Sequence, residues 1–248
     1  MSKVNLEAHD AIAVLRLNNG VTNAISPELV DDLSETIKQI KNEFKGMVLA
    51  GGDKFFCIGL DLPNLLQLDR PDMTEFYGRF IQAVFDLYTL PMPTACAIDG
   101  HATAGGAIFS ISLDFRFVSS GRRFIGFNEV KIGLPIPYLV DLMLRQIVGD
   151  RSATELMFSG EFVEPEEALR IGLVDEVVAP EDLEEKAVAK ISEMAALPAC
   201  GLTIIKNNRI EAVTARYQDK RGADPDWFLD CWFNPAVQEL LSEAAKKF

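Results

Sequence analysis

Phe56-Cys57-Ile58-Gly59-Leu60-Asp61-Leu62, echoed later by Asp99-Gly100-His101-Ala102-Thr103-Ala104-Gly105-Gly106, decides how this chain is read. Each stretch follows an apolar, strand-like run and carries glycine where the backbone must turn sharply. A turn of this kind leaves a backbone N–H pointing into a cleft. Two such donors aimed at one point make an oxyanion hole, which stabilises negative charge building on a carbonyl oxygen. The N–H of Leu60, just after Gly59, and that of Gly105 are the candidates. Gly105 also opens an apolar segment readable as a short buried helix to Ser112, whose first N–H groups lack partners and sit at its positive end. Taken singly, each stretch is equally a tight packing turn. Neither is a dinucleotide-binding GxGxxG, because the spacing differs and no ribose-binding acid follows at the expected place.

Outward from these turns, strands and helices alternate. Val4 to Leu17 reads as a hairpin turning at His9-Asp10. Ser26-Pro27 is a helix start, and Leu29, Leu33, Ile37 and Ile40 follow at helical spacing. Met47 to Ala50, Thr94 to Ile98, Phe115 to Ser119 and Val174 to Val178 read as short strands. Asp72 with Glu75 resembles a capping box and opens a helix to about Leu90, with Phe76, Phe80, Val84 and Leu87 on one side. Helices are also expected after Pro137 to about Ser159 and over Pro165 to Ile171. From Pro180 the pattern is mostly helical. The organisation expected is an α/β core over residues 1–195 and a helical C-terminal lobe over 196–248. Short, irregularly spaced strands fit a coil of β-β-α turns at least as well as a doubly wound sheet, and propensity alone does not choose between them.

Composition narrows the function. The 248 residues are 48% apolar, enough for a sizeable core, and the net charge of −13 argues against nucleic acid or an anionic membrane as partner. Cys57, Cys96, Cys200 and Cys231 form no CxxC pair and no disulfide framework. The only histidines are His9 and His101, so a multi-histidine metal site is not expected. The N-terminal residues lack the apolar core of a signal peptide, and no apolar run is long enough to span a bilayer, which makes the cytoplasm the expected compartment.

Taken together, the motifs resemble the crotonase (enoyl-CoA hydratase/isomerase) superfamily, almost end to end. The resemblance is carried by Asn23-Ala24-Ile25-Ser26, Gly59-Leu60-Asp61-Leu62 and Ile98-Asp99-Gly100 leading into Ala104-Gly105-Gly106. It continues through Asp114-Phe115-Arg116-Phe117, Gly126-Phe127-Asn128-Glu129, Ile132-Gly133-Leu134 and Ala168 to Asp175. It implies a crotonase-like spiral of β-β-α turns and a C-terminal lobe used for trimerisation, giving a homotrimer or dimer of trimers. The implied ligand is an acyl-CoA thioester whose oxygen lies between the N–H groups of Leu60 and Gly105, with no cofactor beyond the CoA of the substrate itself. The backbone around Ile58, Gly59, Asp61 and Leu62 would face the CoA moiety, and residues near Ala24 would line its pantetheine and adenine path.

In hydratases of this superfamily one glutamate lies three residues after the second oxyanion glycine and another in a later loop. Here those positions are Ile108 and Glu129. A single carboxylate beside an apolar wall suits a proton shuttle better than the addition of water. Gly126-Phe127-Asn128-Glu129 and the Phe56 to Leu62 turn are similar to the mitochondrial-type Δ3,Δ2-enoyl-CoA isomerases. The resemblance therefore implies an isomerase with Glu129 as base and acid. Asn128 would contact substrate or orient Glu129, with loop capping an equal alternative, and Tyr138 would line the acyl pocket. Hydration, thioester hydrolysis, decarboxylation and acyl-CoA binding without turnover stay open, and a second carboxylate in the pocket, Asp61 or Asp141, would weaken the isomerase reading. His101, Cys57 and Cys96 are read as structural, and Arg122 and Arg123 as a solvated basic spot. Lys206, a position where relatives often carry a lysine near the CoA phosphates, is weighed below even for that role. Trp227, Phe228, Trp232 and Phe233 are read as core or subunit packing, with a pocket role second.

Overall fold

Strand β1 (Val4–His9) turns into β2 (Ile12–Leu17) through Asp10, which takes a left-handed φ of 53°, and the two pair antiparallel with His9 opposite Ile12. The computed structural model describes residues 2–220 and 224–246. Helix α1 (Pro27–Glu43) begins where Ser26 accepts a hydrogen bond from the Leu29 N–H, and it buries Leu29, Val30, Leu33, Ile37 and Ile40. There follow β3 (Gly46–Ala50), β4 (Phe55–Cys57), the short α2 (Leu62–Leu65) and α3 (Arg70–Tyr88). The next turn is β5 (Thr94–Ile98), β6 (His101–Thr103) and α4 (Gly105–Ile111). The third is β7 (Phe115–Ser119), β8 (Ile125–Gly126) and a 3₁₀ turn over Glu129–Ile132, leading to α5 (Tyr138–Ser159). After α6 (Pro165–Arg170) and β9 (Glu176–Val178), α7 (Leu183–Ala195) closes the core. Helices α8 (Ala199–Lys220), α9 (Asp224–Trp232) and α10 (Pro235–Ala245) complete the chain. Residues 221–223 and 247–248 of the expected lobe lie outside the described residues.

Sheet order settles the choice left open by propensity. Six strands form one sheet in the order β1-β2-β3-β5-β7-β9, and β4-β6-β8 form a second. From β2 onward the large sheet is parallel, as is the small one. Each turn thus gives one strand to each sheet, β3 then β4, β5 then β6, β7 then β8, and the turns stack as a coil. This is the spiral of β-β-α turns. A doubly wound fold would place successive strands side by side in a single sheet.

The large sheet is covered on both faces, which is why β3 and β5 are buried at every position. Val14, Val48, Ala95 and Phe117 pack beneath Leu183, Ala187 and Ile191 of α7, while Leu15, Leu49 and Cys96 face the main core with α1, α3 and α4.

Two expectations shift. Helix α3 is capped by Asp69, which accepts from the Asp72 N–H at 3.0 Å, so it starts three residues before the Asp72 capping box, with Pro71 in its first turn. The last strand begins at Glu176, because the Val174 N–H is held by the Ala168 carbonyl and the buried Arg116 guanidinium takes the Leu173 carbonyl at 2.8 Å.

Candidate active site

The three small-sheet strands run parallel, and each is followed at its carboxyl end by one of the segments singled out above. Ile58-Gly59-Leu60 follows β4, Ala104-Gly105 follows β6, and Phe127-Asn128-Glu129 follows β8. Carboxyl ends of parallel strands are where α/β proteins gather ligand-binding loops. Cross-links hold the segments together: Thr103 Oγ1 donates to the Ile58 carbonyl at 3.1 Å, and the Ala104 N–H to the Gly126 carbonyl at 2.9 Å.

Leu60 pairs with Ile25 in an isolated parallel bridge. The bonds run from the Ile25 N–H to the Gly59 carbonyl and from the Asp61 N–H to the Ile25 carbonyl. In a parallel bridge of this phase the N–H of the middle residue, Leu60, faces away from Ile25. Gly59 makes this possible with φ +98°, and a Cβ there would stand 3.0 Å from the Gly105 nitrogen. Gly105 is the first residue of α4, so its N–H has no intrahelical acceptor. A Cβ at Gly105 would stand 3.1 Å from the Gly59 Cα, so glycine suits the close approach of these two turns. Ala104 pays for the geometry with φ 48° and ψ −119°, a conformation that costs an alanine on the order of 1–3 kcal/mol.

Leu60 and Gly105 both line a cavity of about 670 Å³. Val21, Thr22, Lys54 and Phe55 form its outer wall, with Ile58 and Leu62 beside the Leu60 turn. Tyr77, Phe80, Ile108 and Phe228 form its deep wall. Asn128 and Glu129 enter from the 3₁₀ turn. Glu129 is 6% exposed, and neither carboxylate oxygen has a hydrogen-bond partner. Burial raises its pKa to about 7, with its own backbone N–H opposing the rise only in part. Asn128 Oδ1 is likewise buried and unpartnered. Among the described residues Glu129 is the only carboxylate lining this cavity, and Ile108 puts hydrocarbon in the same space.

Four expected residues lie elsewhere. Gly59 shapes the turn from behind the wall. Asp61 caps α2, accepting from the Asn64 N–H at 3.4 Å and from Asn64 Nδ2 at 2.6 Å, so its carboxylate is spent on the helix start. Ala24 itself is buried off the wall, its carbonyl bound by Asn19 Nδ2 at 2.7 Å, while nearby Val21 and Thr22 line the cavity. Tyr138 lines a neighbouring groove with Trp227, because it opens α5 beyond Pro137, and Lys220 Nζ sits 5.0 Å from its ring centroid. Asp141 pairs with Arg145 at 2.9 Å in that same groove, so neither Asp61 nor Asp141 supplies a second acid.

The structural readings of other residues hold. His101 Nδ1 accepts from the Phe124 N–H at 3.0 Å and stacks on the Phe124 ring. Cys57 and Cys96 are fully buried, which pushes the Cys57 thiol up to about 12 and Cys96 higher still. Arg123 is less solvated than expected, since it donates to the Asp99 carbonyl and to Ser119 Oγ. Lys206 is drawn inward, with Nζ 2.8 Å from Asp114 Oδ2 and 2.9 Å from the Met92 carbonyl. Sequence reasoning missed Lys54, Tyr77 and Phe80 as wall residues. The signal for the aromatics was the apolar face of α3, which served equally well as core.

The chain matches the family model described as enoyl-CoA hydratase/isomerase over residues 7–241. Mitochondrial enoyl-CoA delta isomerase 1 of Homo sapiens is 26% identical over 242 residues, covering 96% of this chain and 80% of that protein. A putative enoyl-CoA hydratase of Thermus thermophilus is 31% identical over 201 residues, 79% of each chain. The crystal structure of human mitochondrial delta3-delta2-enoyl-CoA isomerase superposes with a TM-score of 0.94 at 25% identity, covering 99% of this chain and 97% of that one. With its coiled β-β-α turns and its site at the ends of the short strands, the chain belongs to the enoyl-CoA hydratase/isomerase family, the crotonase group, whose members act on acyl-CoA thioesters.

Proposed function

We propose that this protein is a Δ3,Δ2-enoyl-CoA isomerase. The observation that carries the reading is Glu129, the single carboxylate on the cavity wall among the described residues, in a cavity that Ile108 lines with hydrocarbon. In this mechanism the ionised Glu129 removes a proton from C2 of a 3-enoyl thioester. The C2–H electron pair moves into the C1–C2 bond and charge collects on the thioester oxygen, giving a dienolate. The N–H groups of Leu60 and Gly105 hold that charge as an oxyanion hole. The charge returns through C1, the double bond forms between C2 and C3, and C4 takes the proton back from Glu129. A carboxyl with pKa about 7 suits both steps, since neutral solution leaves it ready as base and its conjugate acid is not too weak to donate. The thioester supplies its own CoA, and no cofactor or metal enters the scheme. Lys54 at the outer wall offers a cation to the CoA phosphates in a protein of strongly negative net charge.

One observation favours a second reading. Asn128 Oδ1 and both Glu129 oxygens are acceptors without donors, and one water donating to both residues would be placed for hydration of a 2-enoyl thioester. A paired assay decides. Wild type should convert a 3-enoyl-CoA to the 2-enoyl isomer without hydrating the latter. Glu129→Gln should lose about a thousandfold of that rate. Efficient hydration of 2-enoyl-CoA by wild type would replace the isomerase reading with the hydratase one.

A further inference from the structure

We propose that the stacked pair Tyr77 and Phe228 is the end wall of the acyl site and fixes the substrate class as short- to medium-chain rather than long-chain acyl-CoA. The inference rests on the acyl-CoA reading above and deepens it. The cavity has two unlike ends. Val21 is 67% exposed and Lys54 stands nearby, so the outer end meets solvent and suits the charged, hydrated CoA. In the same lining, Ile108, Tyr77, Phe80 and Phe228 are each no more than 3% exposed and form its buried end. A thioester with its oxygen at the two donors therefore sends its hydrocarbon toward the aromatic end.

That end is backed by a second layer. Tyr77 and Phe228 stack at 4.1 Å between ring centroids with planes 14° apart. Behind Phe228, one helical turn on, lies Trp232, fully buried at 5.8 Å. Phe80, on the same face of α3 as Tyr77, rests on the edge of Phe109 at 5.9 Å. Close-packed rings with rings behind them do not retreat for an extra methylene. Ile132, Leu134, Pro135, Pro137 and Ala244 also line the cavity, without a stacked ring pair among them.

The test is calorimetric binding of saturated acyl-CoA esters of increasing length to the whole protein, alongside turnover of the matching 3-enoyl esters. In wild type, affinity should rise about fourfold per added methylene and then fall sharply within the short- to medium-chain esters; affinity that keeps rising into long-chain esters overturns the proposed class. Phe228→Ala should move that break to longer chains. Phe228→Leu keeps apolar bulk while removing the stack, guards against a misfolded alanine variant, and should move the break in the same direction by less. A break unmoved in both variants overturns the wall, whether or not isomerisation is found. A break that moves without any isomerisation keeps the wall and removes the isomerase reading. Failure to bind esters of any length overturns both.

Discussion

Glu129 is held in a state that folding disfavours. A carboxyl with an ordinary pKa near 4.5 is pushed to about 7 by burial, so between those values the folded protein binds a proton that the unfolded chain releases. The stability tied to this group is therefore fully present below about pH 4.5 and is lost as pH rises through about 7. Glu129→Gln removes the titration. Its unfolding free energy relative to wild type should rise by about 3 kcal/mol between pH 4 and pH 8, measured by urea denaturation. Because the base must be ionised to act, kcat/KM for a 3-enoyl-CoA should climb through about pH 7 to a plateau. A flat stability difference together with a flat rate profile would mean that Glu129 carries an ordinary pKa. Ile108 belongs to the same account, since a carboxylate in its place would sit close enough to raise both pKa values further.

At the scale of elements, the large sheet was legible from short apolar runs buried throughout, and the long helices from a repeated apolar spacing. The 17 residues of α1 repeat the helical spacing several times. The small sheet was not legible as strands. Its members are three, three and two residues long, too short to display alternation. What the sequence did reveal of it was the turn after each of the first two, through Gly59 and Gly105. Propensity could not say that β4, β6 and β8 pair with one another, because that pairing depends on how far the chain advances per turn of the coil. Helix α3 shows a finer limit. Asp69 and Asp72 both precede an acidic or apolar residue at capping distance, and Pro71 in the first turn favours the earlier start. Phe228 reaches the cavity while staying in the core, and Tyr138 misses it, for a tertiary reason. The direction in which α5 leaves Pro137, and the docking of α9 on α3, place Phe228 on the cavity and Tyr138 outside it.

At the scale of the whole molecule, the C-terminal helices leave apolar surface uncovered. Ile204 and Ile205 on α8 are more than half exposed, and so is Leu197 just before it. Ile205 shares a shallow groove with Pro91, Met92 and Pro93. We propose that this face joins copies of the chain into a homotrimer or dimer of trimers. Light scattering should give a mass of three or six chains, and Ile205→Glu should shift it toward the monomer; a monomeric wild type would reject the assembly. Neither carboxylate oxygen of Glu129 has a hydrogen-bond partner among the described residues. Under the proposed isomerisation, the hydrogen Glu129 lifts is set down by the same carboxylate on the same face of the acyl chain. The shift is then suprafacial, and deuterium placed at C2 should reappear at C4 of the product in ordinary water. Mass spectrometry showing complete washout of that isotope would mean that the proton exchanges with solvent before it is returned, against a closed shuttle by one carboxylate.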